Sequence, residues 1–174
     1  LFESHEMYVA DVEKIEPHGG SIRITALKDG NNKKPTNRVH QLLAEEGKSL
    51  NLYKLKKIKN QVKDYVIAFK QKLKEYKKSK LKVAGYSAPA RVSTICNYGK
   101  IGPSLIDFIV DDSPLKQNRF SPGTHIPIVT KQILDDRRPD ILVVFAYEYL
   151  DDIKKKTDNA YRYLIPIPPR EVNF

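Results

Sequence analysis

From Leu52 onward, apolar residues recur every three or four positions, at Leu55, Ile58, Val62, Tyr65, Val66, Phe69, Leu73 and Tyr76, with lysines between them. This spacing predicts one apolar stripe on a helix of about seven turns. Upstream the period shortens to two. Ser21 to Leu27 alternates, with Ile22, Ile24 and Ala26 on one side, and Val9 to Ile15 alternates in part. Pro17-His18-Gly19-Gly20 lies between them, so the pair reads as a β-hairpin. Two strands alone are marginal in water, and the hairpin is expected to belong to a larger sheet. A polar loop over 29–35 follows. Thr36 is placed to cap a short helix running to Glu46 and stopped by Gly47, and Ser49 to cap the next.

Beyond Lys80 the pattern changes again. Leu81–Tyr86 reads as a strand and Arg91–Tyr98 as a helix ending near Gly99. Leu105–Asp111 is a second strand, Thr130–Asp136 a short helix, and 140–147, "DILVVFAY", a continuous apolar strand of the kind buried on both faces. Leu150–Thr157 is helical, and "YRYLIPI" is a last strand. Alternating strands and helices predict a parallel sheet with right-handed crossovers. The expected fold is therefore α/β: a small Rossmann-like parallel sheet with flanking helices, preceded by a β-hairpin and a long amphipathic helix. Three segments follow from this reading: a hairpin over 1–35, a helical connector over 36–79, and a Rossmann-like domain over 80–174.

Composition narrows the class. With 40% hydrophobic and 30% charged residues in 174, the chain reads as a soluble domain with a real core. No apolar run is long enough to span a bilayer, and no membrane partner is expected. One cysteine, Cys96, excludes an internal disulfide and a Cys-rich zinc site, and no metal site is expected. Leu1-Phe2-Glu3-Ser4 lacks the form of a secretory leader, so a cytoplasmic location is expected. The first residue is not Met, and the chain reads as a piece of a longer protein. The net charge of +10 invites a nucleic-acid reading, but eleven lysines against Asp64 and Glu75 place +9 of it in residues 52–80. These charges are almost all Lys, whereas Arg suits phosphate recognition. The nearby aromatics lie in the apolar stripe rather than on a stacking surface. A solvated helix face is the expectation, and a nucleic-acid partner is not.

Candidate chemistry centres on the turn after the first strand of the α/β part. Ser87 does not fit a nucleophile elbow, because the small residue needed two positions after the serine is Pro89. A phosphate-binding turn fits better: Gly85-x-Ser87-x-x-Ala90 is in frame with Gly-x-Gly-x-x-Gly/Ala, and it joins a strand to a helix. Arg91 adds a cation at that helix start. Asp107, Asp111 and Asp112 stand where acids can meet a ribose. The loop over 111–128 shares the same sheet edge. It brings Lys116 and Arg119, Asn118 able to adopt the left-handed conformation, and a fixed Pro122-Gly123-Thr124 turn. A tight structural turn without ligand stands beside this reading.

The stretch "GYSAPARVSTICNYGKIGPSLIDFIVDDSPLKQNRFSPGTHIPI" resembles the C-terminal domain of S-adenosylmethionine-dependent sugar-nucleotide C-methyltransferases. That family's pattern is Gly-Tyr-Gly-Ala-Pro-Ala-Lys, then Asn-Tyr, then Asp…Pro-x-Lys-Gln-Gly-Arg-Phe-x-Pro-Gly-Thr-x-Ile-Pro. "EKIEPHGGSIRI" resembles the His-Gly-Gly-Ser-x-Arg stretch closing its methyltransferase domain. The resemblance implies that a nucleoside-diphosphate sugar is the partner. It would be held by Gly85, Tyr86, Ser87, Ala88, Pro89, Arg91, Asn97, Lys116, Arg119, Gly123 and Thr124, with His18, Gly19, Gly20, Ser21 and Tyr147 facing the sugar. It implies no catalytic residue in this piece, which alone is expected to be inactive. S-adenosylmethionine and zinc belong to upstream domains, and the upstream methyltransferase domain of the same chain is the second partner. Ser87 stands for a glycine, Arg91 for a lysine, Asn118 for a glycine, and Tyr147-Glu148-Tyr149 for a Trp-Asn pair, which leaves the sugar open. Two other readings are a free-standing NAD-type dinucleotide domain and a basic interaction module using helix 52–79.

Overall fold

In the computed structural model, residues 1–17, 20–28 and 34–172 are described, and the chain divides into two compact units, Leu1–Lys59 and Asn60–Phe174. In the first unit the alternating segments form β1 (Met7–Ile15) and β2 (Ser21–Lys28), paired antiparallel from Met7↔Lys28 to Ile15↔Ser21 with a bulge at Val9/Asp11. Among the described residues this hairpin is a two-stranded sheet by itself. Helix α1 (Asn37–Ser49) packs on β1, and Val12 and Val39 are the residues buried there. Asp11 fixes the helix start by accepting from Thr36 Oγ1 at 2.6 Å and pairing with Arg38. Gly47 does not stop α1. Ser49 bonds back to the Glu45 carbonyl at 2.8 Å, and Asn51 rather than Ser49 caps the next helix, through the Lys54 amide at 2.9 Å.

Helix α2 (Leu52–Lys78) has the predicted length, but its stripe has two fates. Val66, Phe69, Leu73 and Tyr76 are buried, whereas Leu52, Leu55, Ile58 and Val62 are exposed. The periodicity is uniform, so the sequence shows the stripe but not where its cover ends.

The second unit holds a seven-stranded sheet. Its elements are β3 (Val83–Tyr86), α3 (Ala90–Gly99), β4 (Ile109–Val110), β5 (Arg119–Phe120), β6 (Pro127–Val129), α4 (Lys131–Arg137), β7 (Ile141–Val144), α5 (Leu150–Lys156), β8 (Arg162–Pro166) and β9 (Pro169–Val172). The order is β5-β6-β4-β3-β7-β8-β9, parallel through the middle five and antiparallel at both edges. Inward residues alternate between two faces. Val83, Ile109, Ile141, Val143 and Leu164 pack with Phe69, Leu73 and Tyr76 of α2 and with Val92, Ile95 and Cys96 of α3. Ala84, Tyr86, Val110, Leu142, Val144 and Tyr163 pack with Leu134 of α4 and Ile153 of α5.

The predicted parallel sheet is present, with two differences. The strand expected at Leu105–Asp111 shrinks to Ile109–Val110, because Leu105 and Ile106 turn back onto the Gly102 carbonyl. Strands β5, β6 and β9 are two to four residues long, too short to show a period.

Glu171 of β9 ties α2 to the sheet edge. It accepts from Tyr76 Oη at 2.8 Å, pairs with Lys72 at 2.7 Å, and pairs with Arg162 at 3.0 Å. The Lys72 hydrogen bond, followed by that of Tyr76, lowers its carboxyl from 4.5 to about 2. A depressed carboxyl contributes stability that is complete above its unfolded pKa and is lost as pH falls through the folded one. Glu171→Gln is therefore expected to cost about 1–2 kcal/mol at pH 7, discounted for partial exposure, or roughly 2–8 °C in Tm. In melting curves the gap from the parent should close between pH 4.5 and about 2. A gap independent of pH would show that the network is not what Glu171 contributes.

Candidate functional site

Strands β3 and β7 are adjacent and parallel, yet the helices that follow them lie on opposite faces, α3 on one and α5 on the other. The connecting loops therefore diverge at the carboxyl edge and leave a crevice, the place where open α/β sheets bind ligands. Ser87–Pro89 forms one wall and the turn Tyr147–Tyr149 the other.

On the first wall, Gly85 lies inside β3 and not in the turn. A Cβ there would come within 2.9 Å of Ile109 Cγ1 and 3.0 Å of Phe145 Cε2, so the glycine serves close packing in the sheet. The reading of Gly85 as the first glycine of a phosphate turn is corrected accordingly. Ser87 occupies the left-handed region with φ 65, and its amide continues the ladder to the Val110 carbonyl at 2.7 Å. Tyr86 is buried and donates through its hydroxyl to Asp112 at 3.1 Å. Asp112 is also bound by Lys156 at 2.5 Å, which holds its carboxyl below the usual range. A cavity of about 250 Å³ opens between Tyr86, Ser87, Asp112, Tyr149, Asp152 and Lys156. No histidine lines it. Cys96 is fully buried, away from the cavity, and burial pushes its thiol up to about 12.

Of the three expected cations, two are paired with carboxylates. Arg91, on the first turn of α3, donates to both oxygens of Glu148 at 2.8 and 2.5 Å, and its guanidinium lies 4.5 Å from the centre of the Tyr147 ring. Lys116 pairs with Asp111 at 3.2 Å. Asp111 is buried and also accepts from the amides of Ala88 at 2.7 Å and Ser113 at 2.9 Å. Arg119 is exposed on β5 and makes no ion pair among the described residues. Asn118 adopts the left-handed conformation, φ 59, as its residue type suggested.

Asn97 holds the loop to α3 at Gly123, and Thr124 braces the loop internally. Asn97 Nδ2 donates to the Ser93 carbonyl at 2.7 Å and the Pro122 carbonyl at 2.9 Å, and a Cβ on Gly123 (φ 80) would lie 2.1 Å from Asn97 Oδ1. Thr124 Oγ1 bonds Ser121 Oγ at 2.8 Å. Pro89 precedes α3 in extended conformation with no side-chain cap. Gly20 and Ser21 lie in the hairpin of the first unit, where Ser21 Oγ bonds the Pro17 carbonyl, and His18 and Gly19 lie outside the described residues. Glu148 is the partner that sequence reasoning missed, because nothing local links positions 57 residues apart. The buried role of Asp111 had a signal, the Asp-x-Ser turn that its side chain closes.

A family model for the C-methyltransferase C-terminal domain matches residues 16–168. The chain belongs to that family. The curated relative C-methyltransferase NovU of Streptomyces niveus is 30% identical over 187 residues, spanning 99% of this chain and 43% of the relative. The chain thus spans under half the length of that protein. Among the described residues of this C-methyltransferase C-terminal domain, no cluster of His, Cys, Asp and Glu could hold a metal, and no helix is long and apolar enough to cross a membrane.

The crevice of this C-methyltransferase C-terminal domain is built from two different ion pairs. The Asp111 side chain is 8% exposed and is needed by two amides, whereas its partner Lys116 is 45% exposed. Asp111→Asn places donors against donors and is expected to cost about 2–3 kcal/mol in urea unfolding. Lys116→Met should cost under about 1 kcal/mol, the range of exposed pairs. Equal losses for the two variants would show that the amide bonds are not what Asp111 supplies.

Proposed function

We propose that this domain holds the nucleoside-diphosphate portion of a sugar nucleotide for a C-methyltransferase acting on the sugar. Family membership and the relative's name support methyl transfer to carbon as the activity of the longer protein. The observation that carries the substrate class is the crevice between β3 and β7, with the Arg91 fork at its mouth beside the uncapped start of α3. Guanidinium groups match phosphate oxygens in pairs, and helix amides favour the same charge. S-adenosylmethionine would supply the methyl group, and its binding is assigned to the part of the longer protein that this chain does not span. A zinc-binding region is assigned there as well.

Within this chain the work is binding and orientation. Arg91 meets the diphosphate, Tyr147 presents an aromatic face, and the polar cavity beside Ser87 and Asp112 receives hydroxyl groups. The dinucleotide-domain reading is not favoured, because the glycine it needs at the turn lies in β3. The interaction-module reading finds no support in the family match either.

Arg91→Ala is expected to weaken nucleoside-diphosphate binding at least tenfold, since charge-assisted contacts are worth about 1.5–3 kcal/mol and 1.4 kcal/mol is a decade. The monophosphate should lose less, and Ser87→Ala should change little. Calorimetric titration reads all three, with melting curves as the control for folding. An unchanged dissociation constant in a folded Arg91→Ala protein would sink the diphosphate reading.

A further inference from the structure

Helix α2 carries one apolar stripe, and only half of it is covered. At about 100° per residue, Leu52, Leu55, Ile58 and Val62 share an arc of roughly 120° with Val66, Phe69, Leu73 and Tyr76. The later four are buried, and Phe69, Leu73 and Tyr76 pack into the core of the sheet. The earlier four are 41–77% exposed. The covered half also shows what a cover supplies besides apolar contact. There Lys72 meets Glu171 at 2.7 Å, Lys77 meets Asp107 at 2.6 Å, and Lys70 donates to the Gly99 carbonyl at 2.7 Å. Around the open half stand Lys48, Lys54, Lys56, Lys57, Lys59 and Lys63, all exposed, with no acid anywhere from 48 to 63. None of these six pairs with a carboxylate among the described residues, whose lysine ion pairs fall on other lysines.

We infer that the first three turns of α2 are a docking surface for an acidic amphipathic helix of another protein. This role is additional to the activity of the family and does not depend on the crevice. A contiguous exposed apolar patch rimmed by charge marks an interaction surface. Charge and shape select the occupant. An acidic amphipathic helix covers the four apolar residues and sets carboxylates against the lysines, as Glu171 and Asp107 do on the covered half. A second copy of the chain would bring the same six positive charges to the same place, and like charges across an interface repel. A nucleic acid would neutralise the lysines but leave the apolar arc in water. A bilayer is flat, and the continuation of this arc already carries a protein core, so a membrane surface cannot lie along it. The open stretch from Leu52 to Val62 is about 16 Å long, which three turns of a partner helix match.

The probe is a labelled synthetic peptide of about 20 residues, long enough to be helical, with Leu at spacings of three and four and Glu and Ala between. Fluorescence anisotropy follows its binding to the full chain at physiological ionic strength. A scrambled peptide of the same composition carries the same charge without an apolar face. The chain is expected to bind the amphipathic peptide at least tenfold more tightly than the scrambled one. Leu55→Gln and Ile58→Gln leave every charge in place and keep a good helix former, and each should weaken binding at least threefold. Lys56→Gln combined with Lys59→Gln should weaken it as well and flatten its salt dependence. All four side chains are exposed, so the variants should melt within about 3 °C of the parent. Equal affinity for the two peptides, or unchanged affinity in both apolar variants, would leave only general charge attraction, and the proposal falls. It falls too if mixed phosphatidylcholine–phosphatidylserine vesicles bind the chain through Ile58 while the peptide does not, or if sedimentation shows a dimer that Ile58→Gln breaks. If the longer protein that carries this domain does not bind the peptide, its own chain covers the stripe, and the proposal is overturned.

Discussion

Strand β3 is flanked on both sides by parallel strands, and all four of its residues, Val83 to Tyr86, are buried. The rest of the second unit depends on this. Gly85 lets Ile109 from one neighbour and Phe145 beyond the other close over the strand, where any side chain would hold them apart. β7 then registers against all four residues and β4 against Gly85 and Tyr86. The chain leaves β3 onto one face and leaves β7 onto the other, so the crevice follows from the strand order and needs no special loop to open it. Tyr86, pointing to the opposite face, fixes Asp112 at the end of β4 and through it Lys156 of α5. One strand thus sets the positions of three connections.

Much of this was legible in the amino-acid pattern. The buried runs Val83–Tyr86 and Ile141–Val144 are apolar without interruption, and central parallel strands must be, since both faces are covered. The hairpin showed in its alternation, and α2 showed in its period of three to four. What was not legible depended on partners distant in sequence. The second half of the α2 stripe is core and the first half is exposed, although the residue types are the same. The edge strands β5 and β9 take their conformation from β6 and β8, not from their own residues.

The candidate site divides in the same way. Positions with a local requirement could be read: Asn118 for left-handed backbone, and Gly123 for a turn with no room for a Cβ. Charges could be counted but not paired. Arg91, Lys116 and Arg119 looked like cations facing an anion, and the first two have a carboxylate instead. A sequence gives the number of charges near a sheet edge. Only the fold says which are already neutralised, and that decides which can serve a ligand.

Ser87 shows why the crevice is preformed. A non-glycine residue in the left-handed region costs roughly 1 kcal/mol. The cost is offset where it arises, because the Ser87 amide extends the β3–β4 ladder to Val110 and the next amide, of Ala88, reaches the buried Asp111. Asp111 also closes the turn onto Ser113 and receives Gln117 Nε2 on its carbonyl at 2.9 Å. The walls from 87 to 91 and from 111 to 117 are therefore fixed by backbone hydrogen bonds to one carboxylate-bearing residue. The chain has spent its ordering entropy there during folding, so binding in the crevice does not have to supply it. The opposite wall, Tyr147–Tyr149, is joined to the first by the Arg91 side chain, which pairs with Glu148 and lies on the Tyr147 ring. The crevice thus combines one wall set by backbone hydrogen bonds with one joined to it through a side-chain fork.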